Sequence, residues 1–301
     1  LIELWIPITI AATVFQNVRS SLQKHLKDTL STAGATYVRF LFAVPFALLY
    51  LLGVEQLTDV EILPLNSRFA LFVLIGGGTQ ILGTALLIHM FSLRNFVVGT
   101  AYSKTETVQA AALGILILSD PITGWALTAI VISLVGVMLL AIAHQEFGFK
   151  TLLTSLFQKT AGIGLASGAF FGVAAVSYRA ASLSLGVGFV VSAACTLATV
   201  LILQTLTMTA YLYFREPGQL SAVAGAWKTS SLVGLAGMLA SACWFTAMTI
   251  QNAAHVRALG QIELFLAFLS SLIFFREKVK ATEVVGVGLV VAGILVLLLL
   301  G

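Results

Sequence analysis

Two glutamates, Glu106 and Glu263, stand inside long apolar stretches at matched positions, with Ala101-Tyr-Ser-Lys-Thr-Glu106 aligning on Ala258-Leu-Gly-Gln-Ile-Glu263. The same offset of 157 residues carries Asn95 onto Asn252, Ala110 onto Ala267, Asp120 onto Glu277 and Gly136 onto Gly293. A charged side chain at the centre of a bilayer costs roughly 2.5–3.5 kcal/mol on insertion scales. A sequence that carries this cost twice, in register, points to use of the charge. A carboxylate there has two obvious uses, taking up and releasing a proton or pairing with a cationic substrate. At a single site the two uses compete, and that competition gives proton/cation exchange. The structural alternative is an ion pair to a basic neighbour, for which Lys104 and Arg257 are the candidates.

On a continuous helix Glu106 shares its face with Tyr102 and Gln109, making a stripe of phenol, carboxylate and amide. Glu263 shares its face with Leu259, Ala267 and Ser270. Lys104 lies two residues before Glu106 and so faces elsewhere, toward another helix or an interface. Gln16 and Asn17, and Gln80 and His89, add polar groups to other apolar runs. Trp244 with Phe245, Phe170 with Phe171, and Tyr178 are candidates to line an aromatic cavity, whose ring faces attract organic cations. For any one of these, interhelical hydrogen bonding or packing is the plainer explanation. We therefore take Glu106, Glu263, Tyr102, Gln109, Gln16, Gln80, Trp244 and Phe171 as the candidate substrate- and proton-binding set.

The elements that must position these groups are membrane helices. The chain has 301 residues, 59% hydrophobic and 9% charged, with a mean hydropathy of +1.04. A typical soluble domain is about 25% charged. Ten apolar segments long enough to cross a bilayer are legible at 4–22, 33–53, 69–92, 96–118, 122–143, 160–179, 187–213, 229–250, 255–275 and 281–300. The runs are continuous and do not alternate, which argues against a β-barrel. The 157-residue offset divides the chain into a five-helix half at 1–144, a linker at 145–159 and a second five-helix half at 160–301. An odd number of helices per half forces the halves into opposite orientations, an inverted repeat of the kind common in secondary transporters. Pro45 is expected to kink the second segment and Pro121 to mark a turn, and neither suggests a broken helix. Gly164, Gly168 and Gly172 form a stripe of small residues on the sixth segment, expected to pack tightly.

Several classes of function are set aside at this stage. The net charge of +4 is scattered over loop ends, with no basic stripe for nucleic acid. Metal-ligand spacing and nucleotide-binding or hydrolase signatures are absent from the sequence, so no metal or cofactor is expected and the protein is not expected to be an enzyme. Cys195 and Cys243 read as small buried apolar residues and not as a disulfide. The first segment reads as a retained helix and not as a signal peptide.

The chain resembles the ten-helix, EamA-type branch of the drug/metabolite transporter superfamily. The resemblance rests on the five-plus-five duplication and on the acidic turns Ser119-Asp120-Pro-Ile-Thr and Arg276-Glu277-Lys-Val-Lys. It rests also on the glycine helices that follow, Ile130-Val-Ile-Ser-Leu-Val-Gly136 and Gly286-Val-Gly-Leu-Val-Val-Ala-Gly293, and on Arg39 in Tyr-Val-Arg-Phe-Leu-Phe-Ala. The sequence departs from the family where a proline often stands in the fourth and ninth helices; here Glu106 and Glu263 occupy that region. The resemblance implies a membrane carrier, often an exporter of amino acids, amines or other metabolites, with helices one, three, four, six, eight and nine lining the cavity. It also implies cytoplasmic termini, whereas the distribution of Lys and Arg among the loops puts them outside.

The expectation is then an all-α, ten-helix protein of a bacterial inner membrane. Its partners are a small-molecule substrate, protons as coupling ion and membrane lipid. An uncoupled facilitator of neutral metabolites is the alternative, and an intramembrane lipid-modifying enzyme is a further one for which no reactive cluster is seen.

Overall fold

The computed structural model describes residues 3–26, 29–58, 66–91, 96–143, 158–270 and 280–301, and among them regular structure is entirely helical. In chain order the helices are α1 (Trp5–Leu26), α2 (Thr32–Leu41), α3 (Val44–Thr58), α4 (Ser67–Phe91), α5 (Phe96–Ser103), α6 (Glu106–Leu118) and α7 (Gly124–Ile142). They continue with α8 (Lys159–Ser184), α9 (Phe189–Arg215), α10 (Gln219–Gly225), α11 (Trp227–Ile250), α12 (Ala253–Gly260), α13 (Ile262–Ser270) and α14 (Ala281–Leu300). Asn95, most of the linker 145–159, the end of the ninth segment and the turn at Glu277 lie outside the described residues.

Among the described residues, seven stretches are long and apolar enough to cross a membrane: Thr32–Thr58, Ser67–Leu87, Gly124–Ile142, Lys159–Ser184, Phe189–Arg215, Trp227–Ile250 and Ala281–Leu300. They correspond to seven of the ten expected segments. The other three fall short for identifiable reasons. Helix α1 carries Gln16, Asn17 and Arg19, which lower its hydropathy. The fourth and ninth segments are interrupted, by a turn at Lys104–Thr105 between α5 and α6 and by one at Gln261 between α12 and α13.

The described residues form two compact units. One holds 1–78 and 177–251, the other 79–176 and 252–301. Each draws on both halves of the sequence, and α4 and α8 run from one unit into the other.

In the first unit α1 packs along α11, and α9 packs against α2 and α3. The second segment breaks at Phe42–Ala43, just ahead of Pro45, which has no N–H to give the preceding turn. Gly234 of α11 meets the backbone of Phe42 at this break, where any side chain would clash. Tyr178 donates to the Gly76 carbonyl at 3.0 Å and stacks on Phe245 with ring centroids 4.6 Å apart. Arg179 Nη1 donates to the carbonyls of Met248 (2.7 Å), Thr249 (3.2 Å) and Gln251 (2.7 Å), at the C-terminal end of α11. Those carbonyls lack partners within the helix, and a cation is the group that suits them best.

In the second unit α7 and α14 lie against each other along glycines. A Cβ on Gly136 would sit 2.6 Å from the Gly286 carbonyl oxygen, and one on Gly286 2.9 Å from the Gly136 carbonyl oxygen. Gly293 likewise meets Ser133 and Ala129. Their outer faces carry exposed Trp125, Leu127, Val131, Val284, Val285 and Leu295, an apolar surface suited to lipid. Cys195 is buried and Cys243 partly buried, and both are free thiols.

Candidate functional site

The expectation of unbroken helices at Glu106 and Glu263 is corrected by the structure. The chain leaves helical geometry at Lys104–Thr105 and again at Gln261, and resumes it with the glutamate in the first turn of the next helix. The two breaks keep the sequence offset, since α5 ends at Ser103 and α12 at Gly260. Both are tightened turns and not open gaps. Lys104 N–H bonds the Ala101 carbonyl and Thr105 N–H the Tyr102 carbonyl, three residues back, and Gln261 N–H reaches Ala258 in the same way. The capping residues Thr105 (φ −65°, ψ −8°) and Gln261 (φ −65°, ψ −7°) share one backbone conformation.

Local chemistry favours these breaks. Glu106 and Glu263 each stand in the first turn of a helix, where a negative charge is stabilised by the exposed N–H groups. Arg257 stands in the last turn of α12, where a positive charge is favoured. Asn252 opens α12, its Oδ1 accepting from the His255 N–H at 2.9 Å, and its amide donates to the Pro121 carbonyl at 3.4 Å. Thr105 Oγ1 donates back to the Tyr102 carbonyl at 2.6 Å and accepts from Gln109 Nε2 at 2.8 Å, stitching α5 to α6.

The charges pair crosswise. Arg257 Nε of the second break lies 3.1 Å from Glu106 Oε1 of the first, and Lys104 Nζ of the first lies 3.8 Å from Glu263 Oε1 of the second. Gln261 Nε2 adds a hydrogen bond across the breaks to Thr107 Oγ1 at 3.0 Å. Four opposed charges and an amide bridge thus tie α5–α6 to α12–α13. The glycine stripe of α8 lies directly on the first break. A Cβ on Gly168 would stand 2.8 Å from the Ser103 carbonyl oxygen and 3.2 Å from the Glu106 nitrogen, and one on Gly172 would stand 3.3 Å from the Ala110 nitrogen. Gly164 meets the Gly99 backbone just upstream. The stripe is a seat for the broken helix.

The remaining candidates are distributed as follows. Tyr102 is buried with Ala101, Ile142 and Ala161, and the break interrupts the face it was expected to share with Glu106. Gln109 bonds Thr105 and the Leu165 carbonyl (3.4 Å). Phe171 packs against Gly83, and Gln80 is half-buried on α4 in the same unit. Gln16 and Trp244 belong to the first unit, where Trp244 Nε1 donates to Gln16 Oε1 at 3.1 Å. Sequence reasoning missed Thr107 and the bridging role of Gln261. The latter was findable, because the offset places Gln261 on Lys104, a polar residue at both breaks. No group of His, Cys, Asp and Glu suited to a metal occurs among the described residues.

None of the curated proteins matches the sequence. A solved crystal structure of another protein is similar over 97% of this chain and 95% of its own, at 14% identity and a TM-score of 0.66, a likeness of fold alone. Residues 158–299, which include Arg257, Gln261 and Glu263, match the model of the EamA-like transporter family. Through that segment, a little under half of the chain, the protein is similar to the EamA-like transporters of the drug/metabolite transporter superfamily.

Proposed function

We propose that the protein is a secondary active carrier of a small organic metabolite: an amine, an amino acid or another cationic or zwitterionic solute. It works by alternating access, is coupled to protons, and resides in a bacterial inner membrane. The supporting observation is the crossed set of ion pairs at two matched helix breaks. Helix ends within a membrane protein are tolerated where they line a cavity or are held by protein, and transporters use them to meet charged substrate groups. Here Glu106 and Glu263 form the charged centre, with Tyr102, Gln109, Gln80 and Phe171 of the same unit as the wider candidate set; Gln16 and Trp244 are candidates within the first unit. Protonating a glutamate releases its cation partner, and that release is the step at which proton movement and substrate capture become linked.

The ion pairs themselves favour a second reading, an uncoupled facilitator of neutral metabolites in which they only hold the helices together. Uptake of amines and amino acids into proteoliposomes, with and without a pH gradient, separates the two. Gradient-driven accumulation by the wild type, lost in Glu106→Gln and Glu263→Gln that remain monodisperse, is the expected result. Wild-type rates and unchanged pH dependence in both variants would make the glutamates structural and the coupling wrong.

A further inference from the structure

The two ion pairs differ. Arg257–Glu106 is close at 3.1 Å, with side chains 22% and 19% exposed, and the Glu106 backbone lies beneath Gly168 and Gly172. Lys104–Glu263 is stretched to 3.8 Å, and Lys104 is 41% exposed against 21% for Glu263. The partners differ in kind as well. A guanidinium is planar and weakly hydrated and holds its geometry, whereas an ammonium is a strongly hydrated point charge on a flexible stem. A long, half-open pair gains little by closing. A ligand that brings both opposite charges can therefore replace it without leaving either protein charge uncompensated.

We infer that Lys104–Glu263 is a displaceable pair that receives the two ends of a zwitterion, the ammonium on Glu263 and the carboxylate on Lys104. Arg257–Glu106 stays closed and, with Gln261–Thr107, holds the two breaks in place. The inference rests on the carrier reading and narrows its substrate to amino-acid-like zwitterions. Selectivity follows from charge balance. A simple amine satisfies Glu263 but strands Lys104, and a simple carboxylate does the reverse. Each makes only one of the two charge-assisted contacts that a zwitterion makes, and the difference is the basis of selectivity.

The test compares three matched probe series in proteoliposomes: alanine, leucine and phenylalanine, the amines left by removing their carboxylates, and their N-acetyl derivatives. The wild type is expected to favour the zwitterions at least tenfold. Lys104→Met should lower zwitterion uptake tenfold or more while leaving amine uptake within about twofold, and Lys104→Arg should restore the preference. Glu263→Gln should lose both zwitterion and amine. If Lys104→Met does not fold, the doubly neutral K104Q/E263Q, which strands no charge, carries the test and should show no zwitterion preference. A tenfold preference surviving in Lys104→Met or in the double variant overturns the inference. Movement of the amines or the N-acetyl carboxylates but not the zwitterions by the wild type also overturns it and leaves the carrier reading standing. Movement of no probe at all sinks both.

Discussion

The Arg257–Glu106 pair offers a measurement whose size follows from the structure. Removing one partner of a buried ion pair typically costs about 3–5 kcal/mol, because the other charge is left without compensation. These side chains retain about a fifth of their exposure, so partial solvation lowers the expected cost to about 2–3 kcal/mol. At roughly 2–4 °C per kcal/mol for large chains, Glu106→Gln or Arg257→Met should melt about 4–12 °C below the wild type in detergent. The double variant E106Q/R257M strands neither charge and should recover most of that loss, giving a coupling energy near 2 kcal/mol in a double-mutant cycle. The parallel cycle on Lys104 and Glu263, at 3.8 Å and half-open, should give less than about 1 kcal/mol. Additivity of the single variants at Glu106 and Arg257 to within about 0.5 kcal/mol would refute the pairing. A larger coupling at Lys104–Glu263 than at Arg257–Glu106 would refute the ranking of the two.

Two further outcomes follow from packing. Gly168→Ala should cost about 1–3 kcal/mol in thermal stability, because its methyl group would press on Ser103 and Glu106; Gly162→Ala on the same helix meets nothing within 4 Å and should be near neutral. Arg179→Met should cost about 2–3 kcal/mol by freeing three carbonyls at the end of α11, with Arg179→Lys recovering part of the loss, as read from melting in detergent.

The helices were legible because apolar runs of membrane length leave few alternatives, and the offset of 157 residues located the two glutamates before any coordinates. The breaks beside them were not legible by the signal used, which was proline. The residues that mark them are subtler: Asn252 as a cap, Gly260 at the end of α12, and a threonine followed by an acid at Thr105–Glu106. The crossed pairing was also out of reach. The cations do not obey the offset, since Lys104 aligns with Gln261 and Arg257 with Thr100, so the sequence named both partners without saying which acid each would meet. The glycine stripe announced close packing, but that it seats a broken helix depends on where Ser103 and Glu106 lie in space.

The crosswise pairing also has a consequence in time. Lys104 and Glu106 leave the ribosome about 150 residues before Arg257 and Glu263. At 5–20 residues per second the wait is about 8–30 s. For that interval the fourth segment holds a cation and an anion whose partners do not yet exist. The fourth segment thus inserts during synthesis with two charges unmatched, and its final placement depends on the arrival of the ninth. A chain stopped after the first half would carry two charges that its own helices leave unmatched, an exposed signal of incompleteness for as long as synthesis lasts.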